Sequence, residues 1–208
     1  MLNRERVIAG ASGAVWVAIA GAIALLAIGL FFAIGQPFGT INDIALLVMT
    51  LSLGPVMLAH YELGGLVPLW PARLSLAGAT AAVAAWSIVQ VAMILGVVSF
   101  DYEHGATGAF AISSVLQAVI GLWIGGASLL AGRWLPPITR ILGMVAGAGT
   151  VVMSVGLLAS GMNDPLTYVG GIGYQVVLPV WALALGRVFV ARAAAADVAP
   201  APTGAASA

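Results

Sequence analysis

Long stretches without an ionised side chain dominate this sequence and constrain its fold more than any other feature. Between Arg6 and Asp43 lie 36 residues with no charge, and five later stretches contain 18 to 29 residues each. A helix needs roughly 20 apolar residues to cross a hydrocarbon core of about 30 Å. The chain is therefore predicted to be an all-α, polytopic membrane helix bundle. Its six transmembrane helices are predicted at roughly 13–34, 43–61, 73–99, 107–131, 137–160 and 165–188.

The composition excludes several other classes of protein. Hydrophobic residues make up 62% of the chain and charged residues 7%, whereas soluble domains have about 45–50% and about 25%. The seven basic residues are all arginine, and they are balanced by seven acidic residues. No basic surface is available to neutralise phosphates, so a nucleic-acid partner is not expected. Cysteine is absent, which excludes disulfides and thiolate metal sites.

Local signals agree with these helix ends. Asp164 and Pro165 are typical of the N-cap and first turn of a helix. Pro55 and Pro179 fall inside the second and sixth predicted helices, where each is expected to produce a kink. Residues 1–192 form the predicted transmembrane domain. The Ala- and Pro-rich residues 193–208 are predicted to be a disordered cytoplasmic tail.

The distribution of arginine predicts the orientation. All seven arginines precede odd-numbered predicted helices or lie near the end of the sixth, whereas Asp43, Asp101, Glu103 and Asp164 lie on the opposite side. The positive-inside rule then places both termini in the cytoplasm. The expected location is the inner membrane of a bacterial cell.

The sequence shows no evident catalytic centre. No Asp, Glu, Arg or His lies deep inside a predicted helix, where such a residue would suggest a functional site. His60 and His104 are predicted at opposite faces of the membrane, so they cannot share a metal or haem. We therefore predict no metal site and no cofactor. We interpret His60 as part of an interfacial helix end, with a small polar cluster of His60, Tyr61 and Glu62 as the alternative.

Small residues recur along one face of three predicted helices. On the fourth helix, Ser113, Gln117, Gly121, Gly125 and Ser128 are spaced by three or four residues, which places them on one face. Similar stripes run from Gly143 to Ser154 and from Gly171 to Gly186. Small residues allow helices in a membrane to approach closely. These stripes are predicted to face the bundle centre.

Neutral polar side chains recur about ten residues from the predicted outer end of five helices. They are Thr50, Gln90, Gln117, Ser154 and Gln175, with Tyr174 adjoining the last. Ten residues of helix span about 15 Å, which is the depth of the bilayer middle. Two interpretations remain open. The side chains could hydrogen-bond between helices, or they could line a midplane site for a small neutral molecule.

Two family resemblances carry hypotheses about function. The stretch from Trp123 to Gly147, with Gly125, Leu135-Pro136 and Leu142-Gly143, resembles the fourth and fifth helices of a family of uncharacterised bacterial six-helix integral membrane proteins. That resemblance implies a fold but no activity. Ala14, Ala18 and Ala22 resemble an alanine pattern in the substrate-capture subunits of energy-coupling-factor vitamin transporters, where it contacts the coupling subunit.

Together these features predict a binding or accessory protein of the lipid bilayer. Its partner would be a small neutral or apolar ligand, a lipid, or another membrane protein. The alternative is a transport component such as a solute-capture subunit.

Overall fold

The computed structural model describes residues 3–64, 70–98 and 108–198, and these residues confirm an all-helical protein with six helices able to span a membrane. The first five spans are single helices. They are α1 (Arg4–Ile34), α2 (Phe38–Leu63), α3 (Trp70–Ile94), α4 (Gly108–Leu130) and α5 (Pro137–Ser160). The sixth span consists of α6 (Pro165–Ile172), a π-helical segment (Gly173–Val177) and α7 (Leu178–Val198).

Several helix ends differ from the predicted ones, each for a local reason. The first helix begins at Arg4 rather than near residue 13, because the Asn3 side chain accepts a hydrogen bond from the Arg6 amide and caps the helix. The third helix ends at Ile94 rather than at residue 99. Gly96 adopts a left-handed conformation with φ 69°, and the Val97 amide donates to the Ala92 carbonyl at 2.9 Å. This geometry is a typical helix C-terminus.

The predicted disorder of residues 193–208 is wrong for its first part. The last helix continues to Val198, because alanine is the strongest helix former and four alanines follow Arg192. Ala193 is also buried against the core. Residues 199–208 lie outside the described residues.

The helices form a closed ring in chain order. Each span packs against the next one along the chain, and α7 packs against α1 to close the ring. Consecutive spans are antiparallel, so the bundle has two ends. The arginine end is the end at which α1 begins and α7 finishes, and it carries Arg4, Arg6, Arg73, Arg133, Arg140 and Arg192. The acidic end is the opposite one and carries Asp43 and Asp164.

Close backbone contacts at glycines hold α4 and α5 together, as the small-residue stripes predict, and join α5 to the sixth span at glycines outside the predicted stripes. A Cβ atom added at Gly121 would lie 2.8 Å from the Gly147 carbonyl oxygen. On the other side of α5, a Cβ atom at Gly149 would lie 2.6 Å from the Cα atom of Gly173. Real Cβ atoms do not approach so closely, so these positions accept only glycine without a shift of the helices.

The α-helical geometry of the sixth span is interrupted between Gly173 and Pro179. Pro179 has no amide hydrogen and cannot make the usual helical bond to the residue four before it. The backbone instead forms the π-helical turn, in which the Leu178 amide donates to the Gly173 carbonyl. Such turns are rare and often occur at functional sites. The irregularity predicted at Pro179 is thus a π-helical turn directly before it.

Candidate ligand-binding site

A cavity of about 380 Å³ lies inside the acidic half of the bundle. Every span contributes to its wall, and most of the lining side chains are apolar. Its volume falls in the range of about 300–1,000 Å³ that is usual for small-molecule sites. Phe32 and Tyr168 line the cavity and are largely exposed, so they mark the place where it reaches the protein surface.

Four of the six predicted site residues line this cavity: Gln90, Gln117, Tyr174 and Gln175. Their distances from the acidic ends of their helices are less uniform than the predicted ten residues. Gln117 lies nine residues inside α4, or about 14 Å along the helix, whereas Gln90 lies four residues, or about 6 Å, from the end of α3. The early end of α3 at Ile94 explains the difference, because this helix is predicted to continue to residue 99.

The other two predicted site residues do not line the cavity. The Thr50 hydroxyl donates to the Leu46 carbonyl, and the Ser154 hydroxyl donates to the Thr150 carbonyl, both at 2.8 Å. Each bond runs to the residue four earlier in the same helix, which is a common way for a buried hydroxyl to be satisfied. Thr50 and Ser154 are therefore packing residues in this structure.

Three buried amide side chains in the cavity wall have carbonyl oxygens without a hydrogen-bond partner in the described chain. They belong to Gln90, Gln117 and Asn42, which are 5%, 9% and 6% exposed. A buried polar atom without a partner costs about 1–3 kcal/mol. An amide also offers an NH₂ donor beside its oxygen. The three oxygens are therefore buried acceptors in side chains that form the cavity wall.

Asn42 was not identified from the sequence, because the second helix was predicted to begin at residue 43. The helix in fact begins at Phe38, so Asn42 lies one turn inside it and faces the cavity. The spacing of four residues from Asn42 to Leu46, and again to Thr50, was a signal that could have indicated this shared face.

Asp43 is the only ionisable acidic or basic side chain among the described residues that line the cavity. It is half-buried, and its Oδ1 atom accepts a hydrogen bond from Asn42 Nδ2 at 3.3 Å. The sequence suggested an interfacial residue at the end of a helix. The longer α2 instead places this carboxylate inside the helix and in the cavity wall.

Aromatic rings form much of the remaining wall. Trp86 and Tyr174 are both buried, with ring centroids 6.0 Å apart and planes tilted by 50°. Phe110 is also buried and lines the cavity. Thr50 lies next to the Tyr174 hydroxyl, but this hydroxyl makes no hydrogen bond of normal geometry in the described chain.

His60 is buried at the arginine end, contrary to its interpretation as an interfacial residue. It is 3% exposed, and its ring centroid lies 5.0 Å from that of Trp134, 5.7 Å from that of Trp123 and 6.4 Å from that of Trp181. In the predicted alternative, a polar cluster of His60, Tyr61 and Glu62, the Glu62 carboxylate pairs with Arg6, and the His60 Nε2 atom has no hydrogen-bond partner among the described residues. The sequence could not show this packing, because the three tryptophans come from separate elements.

The arginine half of the bundle is densely packed. Trp181, Leu185 and Phe189 of α7 are completely buried. No group of three or more His, Cys, Asp or Glu residues is close enough to hold a metal ion among the residues that the structure describes. His104 and the acidic residues beside it lie outside the described residues. The cavity in the acidic half is thus the best-formed candidate site.

Comparison with known protein families, curated proteins and solved structures finds no match. The resemblance to the vitamin-capture subunits also loses part of its basis. Ala14 and Ala18 are buried inside the bundle, and a Cβ atom at Gly186 of α7 would lie 2.9 Å from the Ala14 side chain. These two alanines are therefore covered by the chain itself, whereas Ala22 is exposed. The function has to be argued from the cavity.

Proposed function

We propose that this protein binds a small, predominantly apolar molecule inside its transmembrane bundle and acts as a binding or accessory protein of the membrane. The observation that carries the proposal is the group of three buried, unpaired amide oxygens of Asn42, Gln90 and Gln117 in one cavity. Sites for small molecules typically combine an apolar wall with a few polar groups that fix the ligand's orientation. This cavity has that combination.

The competing interpretation is that the amides only join helices. In that case their oxygens would accept hydrogen bonds from neighbouring helices, and such bonds stabilise a membrane bundle by about 0.6 kcal/mol each. None of the three oxygens has such a bond within the described chain. A ligand with a donor group would remove the cost of leaving these atoms unpaired.

The proposed location is the inner membrane of a bacterial cell, with the arginine end in the cytoplasm. The placement of the arginines on one side of the predicted helices supports this orientation. The cavity then lies in the outer half of the membrane. Its ligand would enter from the outside or from the outer leaflet.

The test uses a single introduced cysteine, since the natural chain has none. Met153 lines the cavity and is 7% exposed, so Met153→Cys places a reporter thiol there and leaves the amides intact. We expect a small thiol reagent to modify this cysteine in the purified protein. A saturating amount of 1-decanol, a neutral apolar probe, should slow the reaction.

The matched control is Leu122→Cys, because Leu122 is 64% exposed on the outside of α4. Decanol should not change its rate of modification beyond any effect of the probe on the detergent or lipid. Replacement of Gln117 by Leu in the Met153→Cys protein should weaken the protection. Equal behaviour of the two cysteines with and without decanol would contradict a binding cavity.

A transport component is the second candidate, and one observation favours it. The π-helical segment Gly173–Val177 and the following Pro179 interrupt the sixth span directly beside the cavity. Interrupted helices at the substrate site are common in transporters. Movement of a radiolabelled apolar solute across proteoliposomes that contain the protein, in excess of leakage through empty liposomes, would support transport over binding alone.

A further inference from the structure

The charge of the cavity wall restricts the chemistry of the ligand further. Asp43 is half-buried in the wall and makes no ion pair in the described chain, and no arginine or histidine is among the described residues around the cavity. The arginines of the bundle are concentrated at its other end. A carboxylate in an apolar cavity is stabilised by a positive partner, and the described residues supply none.

The aromatic side chains add a second, independent feature. Trp86, Phe110 and Tyr174 line the buried part of the cavity, and Phe32 and Tyr168 line the part that reaches the surface. The face of an aromatic ring attracts a cation within about 6 Å, and the attraction increases when the site is shielded from water. Aromatic walls beside a carboxylate are suited to an ammonium group.

The unpaired amides are the third feature. The carbonyl oxygens of Gln90, Gln117 and Asn42 are acceptors, and each of these residues is more than nine-tenths buried. An ammonium group carries N–H donors and no acceptor, so it matches these oxygens and the Asp43 carboxylate together. Hydrogen bonds of this kind, in which one partner is charged, are about twice as strong as neutral ones.

We propose that the ligand is an amphipathic organic cation, with an apolar body in the cavity and a protonated amine beside Asp43. This inference rests on the proposed function and specifies the class of ligand for the same site. The acidic end would attract such a molecule, because Asp164 also belongs to that end. An anionic amphiphile would meet an unpaired carboxylate and be repelled.

The experiment compares three probes with the same ten-carbon chain: decylammonium, 1-decanol and decanoate. Each is titrated against modification of Met153→Cys in the full-length protein, in nanodiscs of zwitterionic phosphatidylcholine. Concentrations are expressed as the amount of probe in the lipid, so that differences in partitioning are removed. We expect the cation to protect the cysteine at a concentration about tenfold lower than the alcohol. The anion should protect least.

Two variants locate the effect. Asp43→Asn in the Met153→Cys protein should abolish the preference for the cation and leave protection by 1-decanol in place. Asp164→Asn is the matched control, because it removes an equal charge from the same end outside the cavity wall. Asparagine is as good a helix N-cap as aspartate, so α6 should keep its cap and the preference should remain.

The outcomes separate this inference from the proposed function. Equal protection by all three probes, or a cation preference that survives Asp43→Asn, would overturn the cationic class while leaving a binding cavity. Protection by none of the probes would contradict the proposed function itself. Strongest protection by decanoate would overturn the role of Asp43. The comparison of the three probes on the protein with its natural Asp43 decides the matter even when Asp43→Asn fails to accumulate.

Discussion

Replacement of Gln117 by Leu should make the protein more stable, which is the opposite of what a helix-joining amide predicts. The Gln117 carbonyl oxygen is buried without a partner in the described chain, and such an atom costs about 1–3 kcal/mol. Leucine has a similar volume, so the cavity wall should keep its shape. The free energy of unfolding should therefore rise by about 1–3 kcal/mol.

The assay is thermal unfolding of the purified protein at fixed detergent concentration, followed by circular dichroism. In a chain of this size each kcal/mol shifts the unfolding temperature by about 2–4 °C. Gln90→Leu should act in the same direction, because its carbonyl oxygen is also buried without a partner in the described chain.

The matched control is Gln36→Leu at the exposed acidic end. The Gln36 side chain accepts hydrogen bonds from Thr40 at 3.4 Å, so its replacement should leave stability unchanged or slightly lower it. A fall in the unfolding temperature of Gln117→Leu would refute the reasoning. It would mean that the amide makes a stabilising bond between helices, and the cavity would lose its main argument as a site.

Three further predictions concern the rest of the bundle. Gly121→Ala should cost about 1–3 kcal/mol of stability in the same thermal assay, because the added Cβ atom would lie 2.8 Å from the backbone of α5. Gly126→Ala is the control and should be neutral or stabilising, because Gly126 faces open space. His60→Ala should destabilise the fold by about 3–5 kcal/mol, as truncation of large buried rings does, and His60→Phe should recover most of the loss; equal stability of the two variants would contradict the packing role of the ring. Reporter fusions after Arg133 and at the C-terminus should show a cytoplasmic location and a fusion near Asn163 an external one, and an external C-terminus would contradict the six-span orientation.

The number of spans could be predicted from the sequence because a charged side chain is costly inside the hydrocarbon core. Long stretches without charge therefore indicate the spans. The close packing at Gly121 and Gly147 was equally accessible, since small residues at a spacing of four share a helix face. Both inferences depend on one helix, or on one pair of neighbours along the chain. A single sequence contains enough information for inferences about one helix or two adjacent helices.

The site was only partly predictable, because it depends on helix ends and on contacts between distant residues. The second helix begins at Phe38, more than one turn earlier than predicted. Asn42 and Asp43 therefore lie in the cavity wall rather than at the end of the helix. The left-handed Gly96 ends α3 earlier than predicted, so Gln90 lies four residues from the end of the helix rather than about ten. The packing of His60 against three tryptophans joins residues more than 120 positions apart. No pattern in one sequence indicates such a pairing.

The central claim is that a small molecule occupies the cavity, and native mass spectrometry of the protein extracted from its own membrane tests it most directly. The protein should retain a small molecule of defined mass that dissociates only at high collision energy. A Gln90→Leu, Gln117→Leu double variant that is at least as stable should lose this mass, because it lacks two of the three amides. Identical spectra for both proteins, with only ordinary membrane lipids bound, would contradict the account.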